Sequence, residues 1–380
     1  MKPDGTVSEV LSRDARFAVA WGDALAFLRA LPDGSVNLHW IDPPYFRVVD
    51  EEWDRAWPTE AAYFGWLRGV IAEAARTLAL NGSLYVFASP EMAARVEVIV
   101  GESARVLNGI VWAKTDSASK RGRSKFRLYA RETERVIFAE KRTGAASAAG
   151  DTIRAARVCA GMTQGALDLA LGFARSGDAT RGTGIVRQWE TDEAGSCIPA
   201  REDFARAMRA CGDERGDGAL AAEYERLVRP FCDPEAASEV WTYASAAASP
   251  DRHPCEKPAA MLRDVVRASS RPGDLVCDPC AGAGTTLVAA KMSGRRWVGS
   301  DIDAAHGGDA DAEIKLQATL DDAAHAIQSM QVRGAPLIGA FRSYRGGHGL
   351  NLALLEAAAL KRARRIDRAR ARVEAGEEAT

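Results

Sequence analysis

Nowhere does the 380-residue chain carry a long apolar run; its hydrophobic segments are short and interrupted, which excludes a membrane-spanning helix. The stretch Met1-Lys2-Pro3-Asp4-Gly5 has none of the apolar core of a signal peptide, so the expected location is the cytoplasm. Cysteine is sparse and unpatterned. Its seven residues, an odd number, are scattered and supply no disulfide framework. Cys277 and Cys280 form a lone CxxC, with neither a second pair nor a histidine pair at ligand spacing, so no metal site is expected. Internal repeats are absent as well. What is present is ordinary for a globular protein: 47% hydrophobic and 27% charged residues. The length suffices for one large α/β domain and a smaller one.

A net charge of −2 favours no class of partner, but its distribution does. Between Lys114 and Arg142 ten basic residues (among them Lys120, Arg121, Arg123 and Lys125) face four acids, a local +6. Between Lys361 and Arg372 seven basic residues face only Asp367. Alone, each run reads as a solvated loop or helix; beside the motifs below, each suits a phosphate backbone.

Hydrophobic periodicity places α/β segments on either side of a different middle. Strands are expected at Arg16–Trp21, Ser35–Ile41, Ser83–Ala88, Gly109–Ala113 and Arg135–Ala139. Helices are expected at Ala24–Leu31 and Ala61–Leu80, with Asn81-Gly82 as a turn. The pattern resumes with a helix at Ala259–Ser269 behind Pro258, a strand at Leu275–Cys277, a helix at Thr285–Ser293 and a strand at Trp297–Ser300. Thr143–Gly150 and Ser245–Pro250 read as linkers, and residues 151–245 carry no strand pattern. Alternating strands and helices predict a parallel, doubly wound sheet.

Two motifs at opposite ends hold the chemistry. Asp42-Pro43-Pro44-Tyr45 ends a strand and can hold an exocyclic amino group. A carboxylate oxygen of Asp42 and the carbonyl of Pro43 would accept its two N–H groups, drawing the nitrogen towards tetrahedral geometry and freeing its lone pair for in-line attack. Pro43 and Pro44 stiffen the loop, and Tyr45 offers a stacking face. Trp53 and Trp57 follow, as core or lid residues or as further stacking surfaces. The second motif, Asp278-Pro279-Cys280-Ala281-Gly282-Ala283-Gly284-Thr285-Thr286, joins a strand to a helix. Gly282 and Gly284 let the backbone turn tightly against a ligand. Asp301, about twenty residues on, ends the next apolar strand and suits hydrogen bonds to ribose hydroxyls. On these features alone, NAD would serve equally well.

Taken together and in this order, the motifs resemble the circularly permuted β-group of the DNA amino-methyltransferases, which methylate adenine N6 or cytosine N4. The resemblance implies S-adenosylmethionine as cofactor, S-adenosylhomocysteine as product and no metal. Asp278, Cys280, Gly282, Gly284, Thr285 and Thr286 match the family's cofactor motif, and Asp301 its ribose-binding acid. Cys280 stands where the family usually has Phe, which reduces the hydrophobic wall beside the cofactor. His253-Pro254-Cys255-Glu256-Lys257-Pro258 resembles the family's HPxxKP motif, so His253, Lys257 and Pro258 are expected to complete the cofactor site. Asp23, in Trp21-Gly22-Asp23, lies near the cofactor's adenine or caps the following helix. Asp rather than Ser at position 42 favours adenine in this family.

The middle segment resembles a phage-repressor-type helix-turn-helix, in which Gln164 and Arg187 would face base edges. Its helices are expected at Asp151–Gly161, Met162–Gly172, Gly184–Glu190 and Pro199–Cys211, with a long connection, Phe173–Thr183, in place of a tight turn. The rival is a plain helical insert. The expected whole is an α/β, Rossmann-like doubly wound methyltransferase sheet from residues 1–142 and 246–330. Residues 143–245 would form a mainly helical target-recognition insert, and 331–380 an extension with a basic helix. Its partner is double-stranded DNA, from which the target base must flip. A homodimer and a paired restriction nuclease are left open, while a bacterial or phage origin and residence on the nucleoid are expected. Rival activities are cytosine-N4 methylation, methylation of RNA or a protein amide, and repressor-like DNA binding without catalysis.

Overall fold

In the computed structural model of the chain, residues 6–46, 56–115, 132–144, 147–173, 184–191, 197–231, 238–245, 257–282 and 284–302 are described. The first segment runs through α1 (Val7–Leu11), β1 (Phe17–Trp21), α2 (Ala24–Ala30), β2 (Val36–Ile41), α3 (Glu60–Thr77), β3 (Leu78–Ala88), α4 (Ala93–Ser103), β4 (Arg105–Lys114) and β5 (Thr133–Glu140). A helical stretch follows: α5 (Ala148–Cys159), α6 (Gln164–Ala170), α7 (Ile185–Glu190), α8 (Arg201–Ala210) and α9 (Asp217–Leu227). The chain returns through β6 (Val240–Tyr243), α10 (Ala259–Ser269), β7 (Leu275–Asp278), α11 (Thr285–Met292) and β8 (Arg296–Asp301).

Among the described residues the strands form one sheet in the order β1-β8-β7-β2-β3-β5-β4-β6. Every neighbouring pair is parallel except those of β5, which runs antiparallel to β3 and to β4. The last two strands of the sequence therefore sit between the first two. Leu38 pairs with Val276 across β2 and β7, Asp278 with Gly299 across β7 and β8, and Asp301 with Trp21 across β8 and β1. Because these strands are parallel, all of them end at one edge, and there Asp23, Asp42, Asp278 and Asp301 emerge together.

Both faces of the sheet are covered, so β2 is buried at five of its six positions, His39 among them, and β7 at all four. On one face α3 buries Tyr63, Phe64, Leu67, Val70, Ile71 and Ala74, spaced three and four apart, against Leu84, Val86, Ile137 and Cys277. Tyr85, between Leu84 and Val86, points the other way: it stacks on Phe138 at 4.5 Å and its hydroxyl meets Ser269 of α10 at 2.6 Å. Thr59 starts α3 by accepting the Ala62 N–H at 3.1 Å.

The helical stretch has its own core, built on Ile153, Leu167, Val186, Trp189, Phe204, Met208 and Leu220. Two buried acids lock it. Asp168 of α6 accepts the backbone N–H groups of Gly184 and Val186 (3.2 and 3.0 Å), capping α7, whose own N-cap is a glycine without a side chain to offer. Glu190, 1% exposed at its side chain, accepts both arms of Arg157 at 2.7 Å and the Gln164 amide at 2.8 Å. Asn81 donates to the Glu225 carbonyl at 3.0 Å and Arg229 to Glu140 at 3.1 Å, joining this stretch to the sheet.

Several expectations require correction. Residues 151–245 do contain a strand: Val240–Tyr243 pairs with Val111–Lys114, an edge position that an exposed–intermediate alternation does not advertise. The Asn81-Gly82 dipeptide is not a turn between helix and strand. The helix ends at Thr77, and β3 starts at Leu78 and carries Asn81-Gly82 within it, where the register with β2 shifts. Gly150 belongs to α5 rather than to a linker, Ser147 capping that helix through the Gly150 N–H. Helices α1, α4 and α9 were not anticipated. The basic cluster Lys120, Arg121, Arg123 and Lys125, together with Trp53, His253 and the C-terminal basic helix, lies outside the described residues.

Candidate active site

The Asp42 motif leaves β2 at the ligand-facing edge of the sheet, where α/β folds of this kind place their sites. Asp42 is partly buried and Pro43 buried. Against Asp42 Oδ2, at 2.7 Å, lies the ammonium of Lys257, itself 7% exposed and next to Pro258 at the start of α10. The same ammonium is 3.6 Å from Glu134 Oε2 and lies over the rings of Phe87 (4.8 Å) and Tyr45 (5.4 Å). Tyr45 donates its hydroxyl to Glu134 Oε2 at 3.0 Å, and Lys114 Nζ meets Glu134 Oε1 at 2.6 Å. Burial alone would raise the Glu134 carboxyl, but Lys257, Lys114 and the Tyr45 hydroxyl together hold it below the ordinary glutamate range. Two carboxylates and two ammoniums thus form one network around the motif.

The glycine turn occupies the adjacent strand end. Gly282 and Gly284 both take positive φ (50° and 71°), and Gly284 donates to the Ala281 carbonyl at 2.7 Å as it starts α11. No N-cap side chain occupies the head of that helix. Gly299, opposite Asp278 in the sheet, allows α11 to approach: a Cβ there would stand 2.8 Å from Leu287 Cδ1 and 3.1 Å from the Asp278 carbonyl. Asp301 accepts the Gly282 N–H at 2.6 Å, tying the end of β8 to the turn. Asp278 is buried and accepts the Cys280 N–H at 3.1 Å. Burial pushes its carboxyl up to about 7; the charges of Asp42 and Asp301 push the same way, against hydrogen bonds from Thr286 and the Cys280 N–H. Burial likewise pushes the Cys280 thiol up, so it packs as a small apolar group against the main core. Thr286 is buried beneath the turn, while Thr285 is only partly so.

Other predicted residues divide. Asp23 caps α2 through the Ala26 N–H (2.9 Å), the capping alternative, and its second oxygen accepts the Trp66 indole N–H at 3.2 Å. Trp57 packs on Trp66 and Tyr63 (4.7 and 5.2 Å), as a core residue does. Lys257, expected at the cofactor, is placed against Asp42. Gln164 is partly buried and held by Glu190, which corrects the expectation that its amide faces a base edge; Arg187 is exposed on α7. At the described ends of the basic run the cations are used within the fold. Lys114 serves Glu134, Lys141 donates to the carbonyls of Ala75 and Arg76 at the end of α3, and Arg142 donates to those of Gly101 and Ala104 at the end of α4. Glu134 was missed. It stood in the sequence as one acid among many basic residues, and the only signal was a carboxylate entering a buried apolar strand.

A glycine turn and a partly buried carboxylate at the ends of adjacent parallel strands fit an α/β group-transfer enzyme. The chain belongs to the DNA methylase family N6_N4_Mtase, whose model matches residues 36–307. It is 26% identical to the DNA adenine methyltransferase YhdJ of Escherichia coli (strain K12) over 288 residues, 74% of this chain and 77% of the relative. A shorter match, 44% over 52 residues, joins it to the type II methyltransferase M2.DpnII of Streptococcus pneumoniae, covering 14% of this chain and 19% of that one. Among solved structures, the cytosine-N4-specific PvuII DNA methyltransferase aligns over 82% of this chain and 93% of its own at 13% identity and a TM-score of 0.46, a likeness too distant to bear on the reaction. Among the described residues no helix is long and apolar enough to cross a membrane, and no three His, Cys, Asp or Glu side chains group as a metal would require.

Proposed function

We propose that the chain transfers a methyl group from S-adenosylmethionine to the N6 amine of adenine in duplex DNA. The observation that carries this is the arrival of Asp42 and the Gly282–Gly284 turn at one sheet edge from opposite ends of the sequence. The turn fits the cofactor on its own geometry: two positive-φ glycines, a helix head without a capping side chain, and the Asp301 carboxylate beside them. Asp278, Cys280, Gly282, Gly284, Thr285, Thr286 and Asp301 would hold it. When bound, the cofactor supplies an electrophilic sulfonium methyl.

Asp42 and the Pro43 carbonyl would accept the two N–H groups of a flipped adenine, concentrating the lone pair on nitrogen. As that nitrogen becomes positive, the adjacent carboxylate stabilises it, and one proton then leaves to solvent. Tyr45 supplies the stacking face, its plane set by the hydroxyl's bond to Glu134. Adenine rather than cytosine is supported by the Asp at position 42 and by the name of the E. coli relative. Residues 143–245 would form the target-recognition region, with the exposed Arg187 as its reader, and Lys120, Arg121, Arg123 and Lys125 would contact phosphates.

The test is to map N6-methyladenine and N4-methylcytosine in DNA from cells expressing the chain and its Asp42→Ala variant. Methylated adenine is expected, with turnover in the variant reduced by more than tenfold, since one lost transition-state contact costs about 3–4 kcal/mol. Methylcytosine alone would overturn the base assignment, and a variant keeping more than about a tenth of turnover would overturn the role of Asp42.

A further inference from the structure

Glu134 is the second residue of β5, paired with Trp112 in β4, and its side chain is 14% exposed. A carboxylate this far from water is costly unless it is paired, and here it is paired several times over. One oxygen takes the Lys114 ammonium at 2.6 Å. The other takes the Tyr45 hydroxyl at 3.0 Å and stands 3.6 Å from the Lys257 ammonium. Lys114 alone would satisfy the charge if Glu134 served only to tie β5 to β4. The second oxygen instead reaches the two groups that frame Asp42, the ring beside it and the cation on it.

We propose that Glu134 is a positioning residue for methyl transfer, fixing the Tyr45 ring through its hydroxyl and sharing the Lys257 ammonium with Asp42, so that the cation competes less strongly with an uncharged amine for that carboxylate. The proposal rests on the reading of Asp42 as the amine acceptor. The physical reason is competition. An ammonium at 2.7 Å is a far stronger donor to a carboxylate than the N–H of a nucleobase. With Glu134 sharing the cation, the hold of Lys257 on Asp42 is weakened and an amine N–H can compete for it. With Glu134 neutral, the ammonium answers one carboxylate fewer and binds Asp42 more tightly. The Tyr45 ring, meanwhile, exchanges a charged acceptor for a neutral one and is held less firmly. Both changes act on the geometry of the reacting amine rather than on the capture of DNA or cofactor.

The experiment measures single-turnover methylation, KM for duplex DNA, cofactor affinity and melting temperature for the full-length wild type, Glu134→Gln, Glu134→Asp and Tyr45→Phe. Glu134→Gln keeps the size and an acceptor oxygen but removes the charge. Its single-turnover rate is expected to fall roughly 10- to 100-fold, the loss of about one charge-assisted contact, with KM and cofactor affinity within about twofold. Glu134→Asp, which restores the charge, should recover part of that rate. Tyr45→Phe removes one oxygen, should fall less, and makes the fallback if Glu134→Gln is poorly folded. Combined with Glu134→Gln it should lose less than the product of the single losses, because Tyr45→Phe deletes the contact that Glu134→Gln weakens.

A Glu134→Gln rate within about twofold of wild type, or a loss confined to KM or melting temperature, overturns the proposal, as does a Tyr45→Phe rate equal to wild type. These outcomes are separable from failure of the underlying reading, in which Asp42→Ala itself would retain turnover.

Discussion

Replacing Asp278 by Asn tests how burial governs the site. The Asp278 side chain is buried between β2 and β8 at the foot of the glycine turn, and its carboxyl sits at about 7 against an ordinary value of 3.8, chiefly because it is buried and secondarily because Asp42 and Asp301 are negative. The folded protein therefore holds this proton more tightly than the unfolded chain does. The stability due to Asp278 is complete below pH 3.8, falls as pH rises through the interval to about 7, and is flat above it. A shift of roughly three units, at 1.36 kcal/mol each, makes the loss about 4 kcal/mol. Asn cannot ionise but keeps an oxygen for the Cys280 N–H at 3.1 Å. Asp278→Asn should therefore match wild type near pH 4 and exceed it by about 4 kcal/mol near pH 8. Denaturant unfolding of the cofactor-free proteins across this range measures the difference. Carbon-13 NMR of labelled aspartate carboxyls should show one resonance titrating near 7 that the variant lacks. A stability difference that stays flat from about pH 4 to 8, or a carboxyl that titrates below about 5, would refute the argument from burial.

Three further outcomes follow from single side chains. Asp301→Ala removes the carboxylate that accepts the Gly282 N–H, and cofactor affinity measured by calorimetry should drop about 10- to 100-fold, the range for a charged hydrogen bond; an unchanged affinity would move the ribose contact elsewhere. In the helical stretch, Arg187→Ala should change which sites are methylated across a genome, whereas Gln164→Ala, which strips a donor from the buried Glu190, should lower melting temperature without changing the sites. An even loss of methylation at all sites for Arg187→Ala would make the stretch a clamp rather than a reader.

Local patterns carried much of this protein in the sequence. The helix Ala259–Ser269 behind Pro258, the strand at Leu275 and the glycine turn were legible because each is set by neighbours within a few residues: proline at a helix start, an apolar run buried on both faces, glycines where φ is positive. Strand β6 was not legible, since four residues of alternating exposure acquire strand character only by pairing with β4. Gln164 misled for a similar reason: its position on a helix could be read, but not the buried Glu190 that claims its amide. Asp42, Asp278 and Asp301 were each visible as strand-ending acids. Their meeting at one edge was decided by the sheet, which inserts β7 and β8 between β1 and β2. So was the place of Glu134, which shares with Asp42 an ammonium 123 residues further along the chain than itself. Charge, propensity and turn chemistry are properties of short segments and can be read one at a time; the potential at Asp42 depends on which distant segments pack around it, and only the tertiary structure decides that.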